Sequence, residues 1–141
     1  MPRLHHAGMT VGDLDGAVAF YTEVLGCVLV ERIEPDDPAA VRSLVGVPDA
    51  LISGCLLELS SGQRIELLSY RSGHQRHLDQ RPCDRPSTHL ACTVDDLRAA
   101  TDAVLRSGGT VVGRPVRFGA GTFLYCSDPD GNFLELIEEA S

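Results

Sequence analysis

Two histidines and two glutamates recur in matched places along this chain of 141 residues. His6 opens the stretch "HAGMTVGDLDGAVAFYTEVLGCVLV", and His89 opens "HLACTVDDLRAATDAVLRSGGTVVG". Laid over one another without a gap, they put His6 on His89, Thr10 on Thr93, Asp13 on Asp96 and Leu14 on Leu97. Ala17 then falls on Ala100, Gly26 on Gly109 and Val28 on Val111. So many identities in one register mark an internal repeat. Further along, "RIELL" and "FLELI" each hold one carboxylate, Glu66 or Glu135, among apolar neighbours. A charge in a strand otherwise destined for burial is costly unless it is paired or bound to metal. Two imidazoles and two carboxylates make a mixed nitrogen and oxygen set. Such a set suits one divalent first-row metal per site: zinc, nickel, cobalt, manganese or iron.

The repeat also separates the adjacent pair in "LHHAGMTV". Side chains alternate across a strand, so His6, Gly8 and Thr10 share one face, while His5, Ala7, Met9 and Val11 share the other. Superposition sets Ala7, Met9 and Val11 on the apolar Leu90, Cys92 and Val94, and His5 on Thr88. His6 is therefore the repeated histidine, and His5 is expected to face away from a metal.

Each copy reads as strand, helix, then strands. In the first, residues 4–11 alternate as a strand, and "GDLDGAVAFYTEVLG" follows as a helix with Asp13 at its N-cap and Gly26 at its end. Leu14, Ala17, Val18, Tyr21 and Leu25 recur at helical spacing and supply its buried stripe. Strands follow at about 27–33, 51–60 and 63–70, the last two joined by a tight turn at "SSG". In the second copy Asp95 or Asp96 caps a helix whose Leu97, Ala100, Val104 and Leu105 face inward, stopped by Gly108 and Gly109. Strands at about 110–116, 121–127 and 132–138 complete it, with "DPDGN" as the final hairpin turn. The Pro-rich segment "EPDDPAAVRSLVGVPDALISG" reads as a long loop, a lid or part of a subunit contact. The expected organisation is one domain over 1–141: a first module at about 1–70, a polar Arg/His-rich linker at about 71–86, and a second module at about 87–141.

Composition removes several classes. The formal charge is −8 and all 12 basic residues are arginine, which argues against a nucleic-acid partner and leaves no lysine for Schiff-base chemistry. Apolar runs such as "VLGCVLV" are too short to span a bilayer, and the N-terminus lacks the apolar core of a signal peptide. No membrane is expected, and a cytoplasmic location is. The five cysteines form no C-x-x-C pair. Four lie in apolar runs, and Cys83, in the linker, is the expected reactive thiol.

"HHAGMTVGDLDGAVAFYTEVLG", "THLACTVDDLRAA" and "SDPDGNFLEL" together resemble the vicinal oxygen chelate superfamily, the glyoxalase, bleomycin resistance protein and dioxygenase group. The resemblance covers nearly the whole chain and points to the metal-binding, glyoxalase-like branch. It implies an α+β fold of two tandem βαβββ modules, forming a curved, half-open mixed sheet around a metal held by His6, Glu66, His89 and Glu135. It also implies a homodimer acting on a small-molecule substrate. The implied chemistry is that of an isomerase, epimerase or lyase working through a metal-stabilised, enolate-like intermediate, with Glu135 or Glu66 shuttling the proton. Two alternatives stand beside it, a non-catalytic binding or resistance protein and an Fe(II)-dependent dioxygenase.

Departures from the named subfamilies narrow the choice. Glyoxalase I usually carries an arginine four residues after its first ligand, where this chain has Thr10. Extradiol dioxygenases use two histidines and one carboxylate, an arrangement that a fourth ligand at Glu66 would crowd. Candidate pocket residues are Thr10, Thr93, Arg64 and Tyr125, with Tyr70, Phe133 and Arg117 behind them. Glu58 is a further acid/base candidate.

Overall fold

The computed structural model describes residues 1–72 and 75–141; the part of the linker at 73–74 lies outside the described residues. The elements run β1 (Ala7–Thr10), α1 (Leu14–Leu25), β2 (Val28–Ile33), α2 (Pro38–Val45), β3 (Ile52–Glu58) and β4 (Arg64–Tyr70), and then β5 (His89–Thr93), α3 (Leu97–Arg106), β6 (Thr110–Val111), β7 (Val116–Phe118), β8 (Gly121–Ser127) and β9 (Phe133–Glu139). Two sheets result, of strand order β1-β4-β3-β2 and β5-β9-β8-β6, with β7 also on β8. In each, the first and last strands of the module pair in parallel and the other pairs are antiparallel. This is the α+β, twice-repeated βαβββ pattern, and the register repeats with it: Gly8 faces Glu66 as Ala91 faces Glu135.

By contacts the chain forms two compact units, residues 1–18 with 27–77 and residues 19–26 with 78–141. In the first unit, one face of the sheet is apolar and closed, with Cys55, Leu57, Ile65 and Leu67 buried. The opposite face of β4 is half-buried at Arg64, Glu66, Leu68 and Tyr70. In the second unit, Leu124, Cys126, Leu134 and Leu136 are buried, and α3 packs on β6, β8 and β9 through Leu97, Ala100, Ala103 and Val104. The second half of α1 belongs to this unit. Phe20 and Tyr21 are fully buried there, and the Phe20 ring lies 2.7 Å from where a side chain at Gly109 would begin. The Ser127 carbonyl is closer still, so only glycine fits at 109.

The caps follow from side-chain chemistry. The Asp13 carboxylate accepts from the Gly16 N–H at 3.1 Å and that of Asp96 from the Ala99 N–H at 2.8 Å. Glu138 adds a second carboxylate at the start of α3, accepting from the Leu97 N–H at 2.6 Å.

Three expectations need correction. Leu105 is 55% exposed, and Ala103 takes the inward position beside Val104. The stretch 110–116 is not one strand, because Pro115 has no N–H to give a ladder and β6 stops at Val111. The long loop contains α2, capped by Asp37, which accepts from the Ala40 N–H at 3.0 Å, and started by Pro38. That helix buries no residue, so no apolar periodicity advertises it.

Candidate metal centre

Each module assembles one histidine–glutamate pair by the same route. In the first, the parallel register of β1 and β4 sets Gly8 beside Glu66, and His6 lies just before β1 on the Gly8 side. The His6 Nε2 is 3.4 Å from a Glu66 carboxylate oxygen. Gly8 keeps the space between them open: a methyl there would sit 3.9 Å from that oxygen and 4.0 Å from the His6 ring. In the second module, Ala91 lies beside Glu135, and the His89 Nε2 is 3.3 Å from a Glu135 oxygen.

These separations fit a shared ion. With ligand bonds of about 2.1 Å, atoms 3.3 or 3.4 Å apart subtend about 105° at a common metal, within the range that first-row ions accept. Each module thus presents one histidine and one carboxylate to a single ion. Among the described residues, no three His, Cys, Asp or Glu side chains cluster as a metal-holding group.

The two half-sites differ in their surroundings. His5 does not turn away from His6, because both precede β1 and are not bound by strand alternation. Their Nδ1 atoms are 2.7 Å apart, close enough for one ring to donate to the other. That contact leaves the Nε2 of His6 aimed at Glu66, the arrangement by which a neighbour fixes the tautomer of a ligating imidazole. At His89 the neighbour is Tyr125, whose hydroxyl lies 3.2 Å from both ring nitrogens. Tyr125 also faces Glu135 across the β8–β9 ladder, where the first module has Leu56 facing Glu66. Burial, and after it the Glu135 charge, pushes the Tyr125 phenol above its ordinary range, so it remains a hydrogen-bond donor at neutral pH.

Thr10 and Tyr70 share the His6–Glu66 face of their sheet, and Thr93 and Phe133 share the His89–Glu135 face of theirs. Arg64 stands on the first face and donates from Nε to Glu58 at 2.9 Å, so Glu58 is tied to a guanidinium and does not stand as a free base. Arg117 is not with them: it pairs with Thr122, and its neighbours Val116 and Phe118 take the site-side positions. Sequence reading missed the His5 contact because the repeat matches His5 to Thr88, a pair of unlike residues. No helix of the described residues is long and apolar enough to cross a membrane.

A family model for the Glyoxalase/Bleomycin resistance protein/Dioxygenase superfamily matches residues 3–136. A probable lactoylglutathione lyase of Vibrio parahaemolyticus is 33% identical over 138 residues, covering 96% of this chain and 90% of its own. The lactoylglutathione lyase of Haemophilus influenzae is also 33% identical over 138 residues, with 96% and 92% covered. Among solved structures, a glyoxalase family protein from Bacillus cereus superposes with a TM-score of 0.87 at 20% identity, covering 100% and 96% of the two chains. These relatives place the chain among enzymes of the lyase class. The repeated modules, the two histidine–glutamate pairs and the match over 3–136 together assign the chain to the Glyoxalase/Bleomycin resistance protein/Dioxygenase superfamily.

Proposed function

We infer that the chain is a divalent-metal-dependent lyase or isomerase that moves a proton between neighbouring carbons of a small oxygenated substrate. The observation that carries this is the duplicated pair, His6–Glu66 and His89–Glu135, at nearly equal separations in two modules. All four side chains serve as ligands in this reading. A divalent ion held by them would lower the cost of negative charge on a substrate oxygen and so ease removal of a proton from the adjacent carbon.

The remaining work falls to the protein's own groups. Glu135 would take the proton from the carbon bearing the substrate hydroxyl and return it to the neighbouring carbonyl carbon, while the hydroxyl proton passes to the former carbonyl oxygen, so no oxidant or reductant is consumed. The substrate is enolate-like between the two transfers. Tyr125, beside His89 and Glu135, holds a donor where oxygen charge grows. Glu66 has Leu56 where Glu135 has Tyr125, which makes Glu135 the better placed of the two carboxylates. The related lyases suggest a hemithioacetal of a 2-oxoaldehyde as the first substrate to try. The reading includes a cytoplasmic homodimer. The apolar side chains that β2 and β7 leave in water, Val28 and Phe118 each at 66% exposure, supply surface for contact between copies.

Elemental analysis of the purified protein and of its His6→Ala, Glu66→Ala, His89→Ala and Glu135→Ala forms tests the ligand set. Each variant is expected to lose most of its bound divalent metal and its turnover of methylglyoxal hemithioacetals. Four variants that hold metal as well as the parent would end the assignment.

A further inference from the structure

Beside the His89–Glu135 pair, the second unit carries a cleft of about 200 Å³ that the chemistry above does not use. Its wall is built from Gln80, Pro86, Ser87 and Thr88 at the end of the linker, and from Asn132 and Phe133 at the start of β9. Phe133 connects it to the site. It pairs with His89 in the β5–β9 register and lies on the same face as Glu135, two residues away. That spacing is about 7 Å along a strand, the length of a four- or five-atom chain.

The lining sets polar, uncharged groups beside Pro86 and Phe133. The amide nitrogen of Gln80 donates at 2.7 Å to the Pro86 carbonyl, and its oxygen can accept. The hydroxyls of Ser87 and Thr88 can both donate and accept. Asn132 is tied from behind, its side-chain nitrogen donating at 2.8 Å to Asp128, a carboxylate only 2% exposed. No lining side chain carries a charge, and the carboxylate held behind Asn132 is negative and buried. Neutral hydrogen-bonding groups are matched by such a wall, whereas a carboxylate entering it meets no cation among the lining side chains and a like charge behind Asn132.

We propose that this cleft holds the distal end of the substrate, and that this end is a neutral amide or hydroxyl group and not a carboxylate. The proposal rests on the lyase reading and sharpens its substrate class. It sets this chain apart from an enzyme whose substrate tail carries carboxylates.

The test uses the metal-loaded protein and two hemithioacetals of methylglyoxal, formed with β-mercaptopropionamide and with β-mercaptopropionate. The two differ only in the terminal amide or carboxylate. Binding is read by NMR shifts of the Ser87 and Gly131 backbone amides, and turnover is read separately. The amide adduct is expected to bind about tenfold more tightly, the order that one lost hydrogen bond and an unpaired charge produce. Ser87→Ala, and Thr88→Val beside His89, should each weaken the amide adduct about three- to tenfold with the bound metal content unchanged. Thr88→Lys should bring the carboxylate adduct up to parity. Equal or tighter binding of the carboxylate adduct by the parent would overturn the proposal. If neither adduct turns over but the amide adduct still shifts the cleft amides, the lyase reading fails and the cleft assignment stands.

Discussion

Asp128 lies at the turn between β8 and β9, 2% exposed, and its two oxygens accept four hydrogen bonds. The Asp130 and Asn132 backbone N–H groups donate to one oxygen at 3.0 and 2.9 Å. The Asn132 side chain and the Tyr21 hydroxyl donate to the other at 2.8 and 2.9 Å. Replacement by alanine removes all four. Water can reach Asp130 and Asn132, which are half-buried, but not Tyr21, which is fully buried. Bonds to an ionised acceptor contribute about 1.5–3 kcal/mol each, and the buried Tyr21 hydroxyl loses the one it gives to Asp128. With the wetted donors largely compensated, Asp128→Ala should cost about 3–5 kcal/mol. Tyr21→Phe removes one donor and leaves the other three in place, so about 1–2 kcal/mol is expected. Urea unfolding of both variants and of the double variant gives the coupling between them, which should be about 1–2 kcal/mol. A loss below about 1 kcal/mol for Asp128→Ala, or a coupling near zero, would refute the view that this carboxylate anchors the turn to α1.

Further outcomes follow from the metal half-sites and the thiols. Gly8→Ala should keep metal binding, since a methyl meets only ordinary contacts there, whereas Gly8→Leu should fill the gap between His6 and Glu66 and abolish binding with the circular dichroism spectrum unchanged. His5→Ala should weaken metal affinity about tenfold by freeing the His6 ring, measured by chelator competition; an unchanged affinity would show that the His5 contact does not orient the ligand. Burial pushes the Cys126 thiol up to about 12, with the Asp128 charge adding to it. Between about 9 and 12 the unfolded chain therefore gives up a proton that the folded chain retains. Stability should be full below that window and fall as pH rises through it, with a shallower slope in Cys126→Ala. Iodoacetamide at neutral pH should modify the exposed Cys83 quickly and leave the buried Cys27, Cys55 and Cys126 intact.

Much of the architecture was legible because the chain states it twice. The gapless match of His6 to His89 carries the strand–helix alternation with it, and the β-ladder registers at Gly8 and Ala91 reproduce that match. Paired carboxylates on the closing strands were readable from Glu66 and Glu135 for the same reason. What escaped was not periodic. α2 escaped because none of its side chains is buried, even though Asp37-Pro38 is a helix-start signal. The His5–His6 contact escaped because alternation describes strands, and both residues lie just outside one. Tyr21 reads as one more apolar position on α1, and nothing local reveals that its hydroxyl meets a carboxylate 107 residues away.

The division of α1 has a consequence for how the chain can be cut. The sequence duplicates at about residue 87, yet Phe20, Tyr21 and Val24 complete the core that α3 and β9 begin. A fragment starting in the linker would carry a whole repeat and still lack these side chains, leaving the Asp128 carboxylate without Tyr21 and the Arg106 guanidinium without Glu23, its partner at 3.0 Å. The unit of duplication and the unit of packing are thus different stretches of the same polypeptide. Any shuffling of modules between relatives must carry the loan of half a helix with it.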